Sequence, residues 1–178
     1  MQTFLPHADF ARSAAALDRQ RLGKQRVEVL QLLNTFRPDR RLRGWANHPA
    51  RLQWEGYLDA LARYGLVVCA EWVHRGYRDG CAAKIAASWC RSTAREIPGG
   101  EDAVPPPMLE EIGTFLRQRE EAARRGEDPR FFPPWFGDER YHASHRGNLL
   151  RKDPVWYGTL GWTESPELPY FWPVSASP

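Results

Sequence analysis

The chain has 178 residues, 42% of them hydrophobic, and a formal charge of +3, which suits one domain with a real core and gives no sign of two. No apolar run approaches the roughly 18 residues that span a bilayer, and the first residues lack the basic-then-apolar layout of a secretory signal. The three cysteines, Cys69, Cys81 and Cys90, match neither a zinc motif nor a disulfide framework, so the expectation is a cytoplasmic protein with reduced, packing thiols and no membrane association.

In chain order, residues 1–6 are short and apolar, and Asp9 or Ser13 is placed to cap a helix running to about Phe36. Residues 37–49 form a basic loop with Pro, Gly and Asn breakers. A helical region follows from about Ala50 to His74, with Gly65 expected to divide it and Gly76 to end it beside Arg75. Residues 81–94 are Ala-rich and helix-compatible, 97–107 read as a loop, and 108–125 as an amphipathic helix better suited to scaffolding than to a site. An aromatic, proline-rich connector spans Phe131 to Gly137, a last helix runs from about Glu139 to Lys152, and Trp156 to Pro173 is an irregular aromatic tail. Alternating strand patterns are almost absent, so the fold class is all-α.

Charge is unevenly placed. Residues 1–51 hold ten Lys/Arg against four Asp/Glu, an excess of six positive charges, whereas residues 52–138 hold eleven against fourteen, an excess of three negative. A cationic pole of this kind draws polyanions by counterion release. Within it, Glu28 is a lone acid on a basic helix. At about 100° per residue, Arg21, Lys24 and Gln25 fall within roughly 60° of Glu28 and share its face, which reads either as chemistry on an anionic polymer or as a solvated face of ion pairs. Arg26 points instead into the apolar arc between Leu22 and Leu30, where a guanidinium needs a carboxylate or phosphate partner.

Three segments resemble the pyrimidine-dimer DNA glycosylase family, the endonuclease V group, in its longer bacterial branch. Arg26-Val27-Glu28-Val29-Leu30 is similar to the family's helix bearing the catalytic glutamate. Gly44-Trp45-Ala46-Asn47-His48-Pro49 is similar to a bacterial Gly-Tyr-x-Asn-His-Pro turn, and the helix after it ends in Arg75-Gly76-Tyr77. Ser144-His145-Arg146 leads through Leu149 and Lys152 into Pro154-Val155-Trp156-Tyr157, similar to the family's Pro-x-Trp-Tyr tail. The resemblance covers about residues 1–82 and 139–162 and leaves 83–137 as an insertion into a single domain. It implies a compact all-α bundle of the endonuclease V type, and a glycosylase with AP-lyase activity on a damaged or modified pyrimidine in DNA. An N-terminal amine would attack the sugar, with Glu28 managing charge and protons. The chain departs from the pattern at Gln2, where a smaller residue follows the initiator, and at Val27, where the family has Arg.

The expected nucleophile is the Met1 amine: a pKa near 7.7 leaves about a third of it neutral at pH 7.4, against about 0.1% of a lysine. Lys24 competes only if its pKa is strongly depressed. Arg21, Gln25 and Arg26, the loop residues Arg40, Arg41 and Arg43, and Asn47 and Arg146 are the candidate substrate contacts. Trp45 is the candidate stacker on an extruded base, and His48 and His145 are expected to bond phosphate, base or backbone. Trp135, Trp156 and Tyr157 are expected to pack. Two other readings stand beside this one: a nucleic-acid or nucleotide-binding protein of the same fold without glycosylase activity, and a metal-dependent hydrolase built on His7, His48, His142 and His145. No Cys or acid is fixed beside those histidines, so no metal, cofactor or obligate protein partner is assigned.

Overall fold

The computed structural model describes residues 2–40, 44–97 and 102–173. Asp9 caps the first helix, α1 (Phe10–Ala16), by accepting the Arg12 amide at 2.8 Å. The continuous helix expected to Phe36 is in fact two. Leu17 is extended, and Asp18 caps α2 (Arg19–Asn34) through the Gln20 and Arg21 amides at 2.8 and 3.1 Å. The other Asp18 oxygen accepts the Tyr157 hydroxyl at 2.5 Å. Carbonyls freed at the end of α1 are taken by Arg75, which donates to Leu17 and Ala15 at 2.7 and 2.9 Å. A cation there satisfies orphan acceptors and meets the negative end of the helix dipole.

α3 (Pro49–Leu52) is a single turn and α4 (Leu58–His74) is uninterrupted. The division expected at Gly65 falls earlier, at Gly56 with φ +82°. Gly65 serves close packing instead: a Cβ there would lie 2.6 Å from Val29 Cγ1 and 3.2 Å from Ile85. That proximity brings together α2, α4 and α5 (Ala82–Ser92), which form the centre of the core around Leu22, Leu61, Ile85 and Trp89. α5 belongs to the segment that the family resemblance leaves without a counterpart, yet it is part of this core.

α6 (Pro106–Arg124) packs outside α4 and α5, with Arg63 and Glu120 paired at 2.7 Å. The aromatic connector folds inward: Phe132 and Phe136 stack at 4.3 Å, and Trp135 meets the buried Trp54 edge-on at 5.0 Å. α7 (Glu139–Lys152) leads into the short α8 (Pro154–Gly158). All regular structure among the described residues is helical, without a strand, consistent with an endonuclease V-type bundle. No described helix is long and apolar enough to cross a membrane.

Gln2 to Leu5 run unpaired through the interior, with Thr3 and Leu5 fully enclosed. Buried irregular backbone needs hydrogen-bond partners, and five side chains supply them, the first being Gln2, whose Oε1 accepts the Thr3 amide at 2.9 Å. Gln25 Oε1 accepts the Phe4 amide at 2.8 Å and Gln25 Nε2 donates to the Gln2 carbonyl at 2.7 Å. Tyr64 donates to the Phe4 carbonyl at 2.7 Å, His145 Nδ1 accepts the Leu5 amide at 2.8 Å, and His142 Nδ1 donates to the Leu5 carbonyl at 2.8 Å.

Candidate active-site cleft

An open cleft of about 460 Å³ lies where this segment meets α2. Helix α2 contributes Gln20, Arg21, Lys24, Gln25 and Glu28. Gln2 and Phe4 come from the buried segment, His48 from the turn before α3, Lys152 from the end of α7, and Tyr170 and Trp172 from the tail.

Glu28 is only 7% exposed. Its Oε2 accepts from Gln25 Nε2 at 2.7 Å, while Oε1 lies 3.6 Å from the exposed Lys24 ammonium. Gln25 is fully buried. Its oxygen accepts the Phe4 amide and, at 2.9 Å, shares with the Phe4 carbonyl the single proton of the Tyr64 hydroxyl; its nitrogen donates to Gln2 and Glu28. With both lone pairs and both N–H groups used, one side chain fixes the buried segment and the carboxylate in a single geometry.

Cations surround that carboxylate. Arg21 is tied to Asp18 at 2.7 Å and to the Lys152 carbonyl at 3.1 Å. Burial, together with the charges of Arg21, Arg151 and Lys24, pushes the Lys152 ammonium below its ordinary pKa. His48 caps α3 by accepting the Ala50 amide on Nδ1 at 3.1 Å, which leaves Nε2 as its N–H donor. Partial burial lowers its pKa and favours that neutral form.

Of the residues expected to act, Glu28, Lys24, Arg21, Gln25 and His48 come together in this cleft. Met1, Arg41 and Arg43 lie outside the described residues. Arg40, Trp45 and Asn47 are exposed on the neighbouring loop, with the Trp45 ring 4.6 Å from that of His48. Three lie elsewhere. Arg26 pairs with Asp79 at 2.6 Å beneath Trp72, the carboxylate partner that its place on the apolar arc demanded. His145 is fully buried, bonded to the Leu5 backbone, and Arg146 is held by the Pro6 carbonyl at 2.7 Å and Glu164 at 2.6 Å. Both serve the buried segment and the tail, because the face of α7 that carries them is turned inward.

Among the described residues, no three His, Cys, Asp or Glu side chains come together to hold a metal. His142 spends both ring nitrogens on backbone, at Leu5 and at the Gly137 amide 3.1 Å away. Trp135 and Tyr157 are core residues, while Trp156 is 43% exposed with its indole N–H on the Ala16 carbonyl. Sequence reasoning missed Gln2, Phe4, Gln20, Lys152, Tyr170 and Trp172. Lys152 sits inside a recognised motif; the aromatic pair gave only a compositional signal in a tail read as irregular.

The fold and the site together define an all-α protein that sets a buried carboxylate in a cation-rimmed cleft against an enclosed N-terminal segment. Residues 1–85 match the family model described as pyrimidine dimer DNA glycosylase. That match takes in α1 to α4 and the cleft residues from Gln2 to His48; Lys152, Tyr170 and Trp172 lie beyond it. No curated protein and no solved structure matches the chain.

Proposed function

We propose that the protein is a DNA repair glycosylase with AP-lyase activity that excises a damaged or modified pyrimidine. The observation that carries this reading is the bond set of Gln25, which ties Gln2 to Glu28 and so joins the start of the sequence to the cleft's carboxylate. The matched family supports it. In the proposed reaction the Met1 α-amine attacks the sugar C1′. The C1′–N bond to the base breaks, its electron pair leaves with the base, and the amine gives up a proton to Glu28. Ring opening then yields a Schiff base, from which β-elimination cuts the strand. Arg21, Lys24 and Lys152 hold the backbone phosphates.

The test is Glu28→Gln, which keeps size and hydrogen bonding and removes the charge. The variant should fold normally, bind lesion-bearing DNA at least as well as the parent, and cut at least about 100-fold more slowly in single-turnover assays. Wild-type cleavage by Glu28→Gln would defeat this mechanism. Borohydride trapping on abasic-site DNA, with and without a blocked N-terminal amine, identifies the nucleophile; trapping that survives the block moves the role to a lysine, Lys24 first.

A further inference from the structure

Residues 163–173 follow α8 as a strap laid across α7, and their seating is built into the helix. A Cβ at Gly147 would lie 2.6 Å from the Ser165 carbonyl oxygen and 3.1 Å from Leu168. Asn148 donates to the Leu168 carbonyl at 3.0 Å, and Arg146 pairs with Glu164 at 2.6 Å. From these anchors the strap carries Tyr170 edge-on to His145 at 5.7 Å, and Trp172 edge-on to His48 at 6.2 Å. Both aromatic residues line the same cleft as Glu28. The Tyr170 hydroxyl makes no hydrogen bond to any described residue, although its ring is partly buried and fixed between His145 and Trp172.

We propose that the strap is the wall of the cleft that selects and releases the base: Trp172 lies against the face of the pyrimidine being excised, and the Tyr170 hydroxyl donates a hydrogen bond to its carbonyl as it leaves. This rests on the glycosylase reading and adds to it a residue acting on the leaving group. When the C1′–N bond breaks, its electron pair passes to the base and spreads onto the adjacent carbonyl oxygen, so the departing base is an anion until solvent protonates it. A fixed donor at that oxygen stabilises charge that exists only in the transition state and after it. The phenol keeps its proton to serve in this way, because burial, reinforced by the Glu28 carboxylate against the opposing Arg151, raises its pKa to about 12. The aromatic face of Trp172 suits a base out of its stack, since stacking on an aromatic side chain tolerates any base while the donor reads the edge.

The test separates base release from the chemistry that follows. Tyr170→Phe keeps the ring between His145 and Trp172 and removes only the hydroxyl. Cleavage is measured on the duplex that the wild type cuts fastest from a panel, each carrying one pyrimidine lesion, and borohydride trapping on the same duplex with an abasic site, where no base remains to leave. The expected result is base excision slowed about 100-fold, with unchanged melting temperature and unchanged trapping. Trp172→Ala should weaken binding of the lesion duplex about tenfold and leave undamaged duplex binding as it was. Unslowed excision by Tyr170→Phe, or excision and trapping falling together, overturns the inference while the glycosylase reading stands. A wild type that neither excises from the panel nor traps removes both.

Discussion

His145 shows how one buried ring couples the N-terminal segment to pH. Its Nδ1 accepts the Leu5 amide, and its Nε2 is enclosed without a partner among the described residues. Protonation would break the first bond and bury a charge. Burial accordingly holds its pKa down to about 3, with His142 adding a smaller push. A histidine depressed in the folded state adds stability that is complete above its unfolded pKa near 6.5 and is lost as pH falls from there toward about 3. Urea unfolding at pH 5.5 should therefore give a free energy about 1.4 kcal/mol lower than at pH 7.5 from this residue alone. Burial lowers the pKa of His142 too, so the measured loss should be no smaller; a flat profile would show that the ring is not enclosed. What is legible at this scale depends on what a helical wheel reports. The wheel put Arg21, Lys24, Gln25 and Glu28 on one face and gave Arg26 a counter-charge, which Asp79 supplies. It could not show that Gln25 is buried against residues more than twenty positions earlier, nor that His145 faces the interior, because both follow from where residues 2–5 run.

At the level of the elements, the tightest point is Gly65, where α4 meets Val29 of α2 and Ile85 of α5. Gly65→Ala should lose about 1–3 kcal/mol, despite alanine's better helix propensity, because a methyl at 2.6 Å from Val29 Cγ1 must displace a neighbouring helix. Adding Val29→Ala should make the double variant less unstable than the two single losses predict, a coupling that chemical denaturation of all three variants measures. The helices at 82–92, 106–124 and 139–152 were readable within a few residues, since each carries its own periodicity and breakers. The interruption between α1 and α2 was not. Its causes are Arg75 on the carbonyls and Tyr157 on Asp18, contacts that come from far along the chain.

Across the whole molecule, the positive pole read from residues 1–51 gathers in part at the cleft, where Arg21 and Lys24 are joined by Lys152 from the other end of the chain. The adjoining basic loop gives this a measurable form. If Arg40, Arg41 and Arg43 each meet a phosphate, replacing all three by Gln should reduce the slope of log affinity against log salt by about 2.7. An unchanged slope would remove the loop from the DNA path. The cleft was half legible: residues from α2 and the His48 turn carry recognisable motifs, whereas the strap reaches the site only by crossing α7 at Gly147, a tertiary event without a local signal.

The enclosed segment also bears on the order in which the protein can be completed. Leu5 depends on His142 and His145, partners 137 and 140 residues later in the chain, and Gln2 shares its cleft with Trp172. At about 5–20 residues added per second, residues 2–5 wait on the order of 10 s for theirs. Until then Thr3 is held by Gln2, Gln53 and Trp54, and Phe4 by Gln25 and Tyr64. A chain still being synthesised therefore carries Glu28, Arg21 and Lys24 without the walls of a site, and Leu5 meets its histidine partners only after α7 has been made.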